Sequence, residues 1–78
     1  MDAKKRLEKE FKHIDAVLGK IKVVKEEKTA EEFIDTATRY RQDAEYFSKK
    51  GDMMSAFGAL NYAFGWLDAG LKIGLFKR

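Results

Sequence analysis

The chain contains no cysteine, no proline and a single histidine. Disulfide staples, thiolate catalysis and Cys/His zinc sites are therefore excluded. With no proline, nothing in the 78 residues forbids a helix from continuing. The six glycines match neither the dinucleotide-binding nor the P-loop spacing, so no phosphate loop is present. Excess charge of one sign is also small: sixteen basic against thirteen acidic residues leave +3. Positions 1–28 hold nine basic and six acidic residues, which accounts for the whole excess. The signs alternate along the chain, the pattern of a solvated helix surface rather than of a one-sided nucleic-acid stripe. The longest apolar stretch, Ala56–Phe76, is interrupted by Asn61, Asp68 and Lys72. Those residues are costly at membrane depth, and the stretch is expected to be a core helix. Met1–Glu10 is charged and carries no secretory h-region. A cytoplasmic protein without a membrane partner is expected. Asn and Gln occur once each while Lys and Glu abound, a composition found in thermophilic proteins.

What is present is helical periodicity. Leu7, Phe11, Ile14, Leu18 and Ile21 recur at spacings of four and three, which predicts a first helix over about 2–25. Thr29-Ala-Glu-Glu32 matches a capping box and opens a second helix over about 30–50, with Phe33, Ala37, Tyr40, Ala44 and Phe47 on its apolar face. Lys49-Lys50-Gly51 supplies cations for the last turn and a glycine for a left-handed cap. Asp52 can cap the next helix at once, so the second and third helices must form an antiparallel hairpin. The third helix, about 53–73, carries Met53, Phe57, Leu60, Phe64, Leu67 and Leu71 on one face. A second apolar sector holds Ala59, Ala63, Tyr62, Trp66, Gly70 and Ile73, leaving Gly58, Asn61, Gly65, Asp68 and Lys72 as a narrow stripe. The expected fold is all-α, an antiparallel up-down-up three-helix bundle in one domain.

Helix three is apolar around roughly two-thirds of its circumference, more than one buried face requires. Either both neighbouring helices cover it, or the side bearing Tyr62, Trp66 and Ile73 meets another chain. Glycines 58, 65, 70 and 74 lower helix propensity, and close helix approach is the expected compensation. Tyr40 and Asp43 lie one turn apart on helix two and are expected opposite Leu60, Asn61 and Ala63. There they form either a register-fixing hydrogen bond or a polar pocket with an aromatic lining. The carboxylates Asp35, Asp43 and Asp68 lack His or Cys support and are separated by the hairpin, so no metal is expected. His13 has no serine, cysteine or carboxylate constellation around it and is read as a boundary residue. All-helical chorismate mutases are of similar size, but their sites need several inward cations, and the core positions here are Leu, Phe, Ile, Ala and Tyr.

The segments Tyr40-Arg-Gln-Asp43-Ala-Glu-Tyr46-Phe47, Gly51-Asp52, Ala56-Phe57 and Tyr62-Ala63-Phe64-Gly65-Trp66-Leu67-Asp68-Ala69-Gly70 resemble the archaeal family of short proteins known as domain of unknown function 357. The resemblance covers roughly Phe33–Gly74. It implies an archaeal source and a compact helical bundle; the family carries no established activity, so it transfers no catalytic residue and no cofactor. The residues then suggest a non-enzymatic interaction module, self-associating or binding a protein partner through Tyr62, Trp66 and Ile73, with Tyr40 and Asp43 as further candidates. The alternative is an accessory domain that binds nucleic acid or a small phosphorylated ligand through Arg6, Lys9 and Lys20.

Overall fold

A computed structural model describes residues 2–78. Three helices, α1 (Ala3–Lys20), α2 (Glu27–Lys49) and α3 (Met53–Lys72), are joined at one end by a two-stranded antiparallel ribbon, β1 (Lys22–Val23) and β2 (Phe76–Lys77). Helix α1 runs alongside α3 in the same direction. Its residues Ala3, Arg6 and Glu10 share a cleft with Phe57 and Asn61, and further along the His13 ring lies 5.0 Å from that of Phe64. Helix α2 runs against both, as the up-down-up pattern requires.

The turn between α2 and α3 forms for the reasons its sequence suggests. Gly51 takes a left-handed φ of 82°, and the amides of Gly51 and Asp52 return to the carbonyls of Ser48 and Phe47 in a Schellman cap. The Asp52 carboxylate then accepts from the Ser55 amide at 3.1 Å, capping α3. The helices that leave this turn pack through very small side chains. Ala30, Ala37 and Ala44 recur every seventh residue on α2 and are fully buried. Ala56, Ala63 and Gly70 recur at the same spacing on α3 and are buried too. Small side chains let the two backbones approach closely, and a seven-residue repeat keeps the seam aligned along the hairpin. Larger side chains are displaced to the two flanks of the seam. On one flank Leu60 and Leu67 meet Leu7, Ile14 and Val17 of α1, and this is the principal core.

Two boundaries differ from the sequence-based expectation. Helix α1 stops at Lys20, not near Lys25, because Ile21 turns extended (φ −69°, ψ 142°) and the segment Lys22–Val24, within a stretch rich in β-branched residues, pairs with the C-terminal segment. Helix α2 begins at Glu27. Its N-cap is Glu26, held at φ 50° with no side-chain cap. Thr29 thus sits inside the first turn, and the expected capping box is not built. The ribbon sets both boundaries: the Val24 and Lys25 amides donate to the Leu75 carbonyl at 2.8 and 3.3 Å, bringing the chain round before Thr29 is reached.

The glycines of α3 also divide differently from the expectation of close helix approach at all four. A Cβ at Gly58 or Gly65 would meet nothing within 4 Å, whereas one at Gly70 would lie inside the ring of Phe76. Gly74 serves the turn instead, with φ 78°. Its amide donates to Leu71 and that of Leu75 to Gly70, a second Schellman cap that swings the chain back so that Phe76, 1% exposed, enters the core beneath Gly70.

Helix α1 is tied to α2 by Arg41. Its guanidinium donates to both Asp15 oxygens, Nε at 2.9 Å and Nη2 at 3.0 Å. It also pairs with Glu45 and lies 5.1 Å from the centre of the Phe11 ring. The fork holds a planar carboxylate while stacking on an aromatic face, two functions that lysine cannot combine. The hydrogen bonds to Asp15 raise the Arg41 pKa; those from Arg41 and Lys49 lower that of Glu45.

Replacing Gly70 by alanine should lower stability by about 1–3 kcal/mol in denaturant titrations through overpacking, and Phe76→Ala should lower it by about 3–5 kcal/mol. The double variant should be far less unstable than the two losses combined, because the added methyl then fills space the ring has left. A second expectation concerns pH. Glu45 and Asp52 both have depressed folded-state pKa values, Asp52 through its bond to Ser55. Their stabilisation is complete above the unfolded carboxylate values of 4.5 and 3.8 and is lost as pH falls through the folded ones. Melting followed by circular dichroism should therefore show Tm falling below about pH 4.5, and Glu45→Gln with Asp52→Asn should flatten that fall.

Candidate functional site

The second flank of the α2–α3 seam has no helix over it. Phe33 and Tyr40 line it from α2 and Tyr62 and Trp66 from α3, and Ile73, the C-cap of α3, continues it. Phe33 and Tyr40 are seven residues apart, as are Trp66 and Ile73, with Tyr62 one turn before Trp66, because each set lies beside a row of the small residues in the seam. Across the seam the Tyr40 and Tyr62 rings stack with centroids 5.3 Å apart. Phe33 and Trp66 meet edge to face at 5.0 Å. These geometries suit the ring quadrupoles. They leave much of the α3 partners in solvent: Tyr62 is 65% exposed, Trp66 37% and Ile73 54%. The reading in which neighbouring helices cover helix three all round is corrected here. Helix α1 lies on the Leu60 side and never reaches the Trp66 side.

Between the aromatic walls is an open groove of about 390 Å³, lined by Phe33, Asn61, Tyr62, Gly65, Trp66 and Ala69. None of these residues is charged. Gly65 and Ala69, with little or no side chain, leave the space along α3 open, and Tyr62 and Trp66 stand beside it. Met54, near the N-terminus of α3, is 86% exposed. Outside the groove, Thr36, Arg39, Tyr40 and Asp43 line a smaller depression on α2.

The five candidate residues are thus only partly gathered. Tyr40, Tyr62 and Trp66 belong to one surface and Ile73 continues it. Asp43 lies on the outer rim, exposed, while Asn61 faces the groove on one side and the α1 cleft with Arg6 and Glu10 on the other. No polar pocket of Tyr40, Asp43 and Asn61 is assembled, and no hydrogen bond between Asp43 and α3 fixes the register. The sequence pattern puts Phe33 on the apolar face of helix two, where it does pack against the core, but does not single it out as a wall of the groove. It also assigned Gly65 to helix contact, although it lies on the open groove floor. The signal for Phe33 was its place one turn before Ala37, beside the seam.

The basic candidates do not converge. Arg6 and Lys20 are fourteen residues apart on α1, about 21 Å at 1.5 Å per residue. Among the described residues no three His, Asp or Glu side chains are grouped as a metal site, and no helix is long and apolar enough to cross a membrane. The groups with displaced pKa values, Arg41, Glu45 and Asp52, lie outside the groove, and an ion pair or a helix cap accounts for each.

No curated protein and no solved structure matches the chain significantly. A family model does match, over residues 4–76, and so spans all three helices and β2 up to Phe76. The chain belongs to the family described as protein of unknown function DUF357.

Proposed function

We propose that the protein is a non-enzymatic interaction module of the cytoplasm whose aromatic groove is covered by a second copy of the same chain. The observation that carries this reading is the exposed ridge of Tyr62, Trp66 and Ile73 beside an uncharged groove. Tyrosine and tryptophan at the centre of a patch are the side chains that most often dominate association energies. The glycines support it. In a helix interior each is about 1 kcal/mol less favourable than alanine, yet Gly58 and Gly65 make no close contact within the protomer. A backbone laid across them from outside would use the space they leave.

Three features favour a second copy as the occupant. A two-fold contact sets a patch against itself, so a patch without charge meets no repulsion there. On the rim, Arg39 and Asp43 lie one turn apart with opposite signs, and an antiparallel twin brings each toward the other's counterpart. The molecule measures 39 × 18 × 16 Å, so a long side offers about 700 Å², close to the ~800 Å² per partner of a standard stable interface.

Sedimentation equilibrium over a wide concentration range should show a reversible dimer. Trp66→Glu should leave a monomer with unchanged helical circular dichroism. Gly65→Ala should raise the melting temperature of the dilute monomer and weaken the dimer by about tenfold or more, equivalent to ~1.4 kcal/mol. A wild-type chain that stays monomeric at every concentration would sink the self-association reading.

A further inference from the structure

The ribbon holds two lysines where sheet energetics disfavour them. Lys22 of β1 stands directly opposite Lys77 of β2, and both are exposed. Directly opposed residues project from the same face with Cβ atoms about 5 Å apart, and like charges there are destabilising. The register cannot slip to relieve them. The neighbouring pair is Val23 with Phe76, and Phe76 is fixed in the space that Gly70 leaves. Burial of the ring on the inner face thus forces the two ammonium groups together on the outer face.

The surroundings add charge of the same sign. Residues 20–28 and 72–78, which form and flank the ribbon, contain seven basic and two acidic side chains; the remainder of the chain contains nine and eleven. The mild overall charge therefore conceals a strongly positive end. Among the described residues, Lys20, Lys22, Lys25, Lys72 and Lys77 have no carboxylate within ion-pair distance. The Lys25 side chain lies over Gly74, where the chain turns into β2, and so stands beside the ribbon.

We propose that this end of the bundle binds the phosphate backbone of nucleic acid, with Lys22 and Lys77 at the centre and Lys25 and Lys72 beside them. A phosphate between the two central ammonium groups turns their repulsion into attraction to a shared anion. Lysines are compact point charges suited to phosphate oxygens. No aromatic side chain is exposed at this end to stack on a base, since Phe76 is buried. The contact is therefore to the backbone and independent of sequence. Leu75 and Phe76 are turned into the core, and the apolar side chains left exposed at this end, Val23, Val24 and Ile73, include no aromatic ring or leucine of the kind that enters a bilayer interface, so an anionic bilayer is the less suitable surface.

Fluorescence anisotropy with a labelled duplex of about 20 base pairs, titrated with the full chain from about 20 to about 200 mM salt, tests the proposal. Four phosphate contacts give a slope of about −3.6 in log affinity against log salt, a loss of several thousand-fold over that range. Lys22→Ala with Lys77→Ala should bring the slope to about −1.8, and Lys4→Ala with Lys5→Ala, at the far end of α1, should leave it unchanged. Lys77→Glu should raise Tm by a few degrees by creating a cross-strand ion pair, and should weaken binding at least as much as the double alanine variant. That opposite movement separates a binding role from a structural one. Absence of binding at the lowest salt, or a slope indifferent to the ribbon lysines, would overturn the proposal. So would tighter retention on phosphatidylserine-containing vesicles than on the duplex, which would reassign this end to a lipid surface.

Discussion

The hairpin of α2 and α3 closes on alanine and glycine, and the arrangement of the other large side chains follows from how near this brings the two backbones. A seam of Ala30, Ala37 and Ala44 against Ala56, Ala63 and Gly70 has no room for leucine or phenylalanine between the helix axes. Bulky residues must stand to either side. On one side they meet the Leu7, Ile14 and Val17 face of α1 and become the core. On the other they meet each other, Tyr40 with Tyr62 and Phe33 with Trp66, and stop at solvent. A three-helix chain built on so narrow a seam has one apolar flank more than it has helices to cover. The exposed aromatic ridge is thus a geometric consequence of the hairpin, and the uncharged groove beside it makes that consequence usable for association.

The same economy of space operates at the ribbon end. Gly70 continues the alanine row, yet the atoms occupying its missing side chain come from Phe76 rather than from α2. The ring anchors the C-terminal segment, the segment recruits Val23 and Val24, and the pairing ends α1 and starts α2. One buried aromatic thereby determines two helix boundaries, the left-handed backbone of Glu26 and the opposition of Lys22 to Lys77. Helix α1 depends on these ends more than α2 and α3 do. Its side-chain ties to α2 centre on the Arg41 fork, and it adds no residue to the alanine seam that closes the hairpin. If any element opens locally, the physics favours α1, with the hairpin remaining closed.

The groove and the ribbon adjoin at Lys72 and Ile73 but rest on different forces. The groove is uncharged and aromatic, so its contacts are governed by burial and shape and respond little to salt. The ribbon end is a concentration of unpaired cations whose attraction falls steeply with ionic strength. A dimer formed through the α2–α3 flank would present two ribbons, each with its Lys22 and Lys77 pair.

Much of the fold could be read directly from residue order. The four-three spacing of apolar residues predicts three helices, Gly51-Asp52 predicts the hairpin turn, and Trp66 with Tyr62 stands out because helix three has more apolar surface than one buried face needs. These signals are local: periodicity, capping chemistry and composition act within a turn or two of chain. What residue order could not reveal depends on contacts between residues far apart. Ile21–Val24 reads as the end of a helix until Phe76 arrives to pair with it, and Thr29 reads as a cap until the ribbon starts the helix earlier. Gly65 and Gly70 look alike in sequence, yet one lies open on the groove floor and the other makes room for a ring. Lys22 and Lys77, more than fifty residues apart, look like ordinary solvated charges. The sequence by itself determined which segments are helical and how they turn, because those preferences are settled by near neighbours; only the tertiary structure decided which apolar flank stays uncovered and which charges are forced together, because packing of distant side chains sets both.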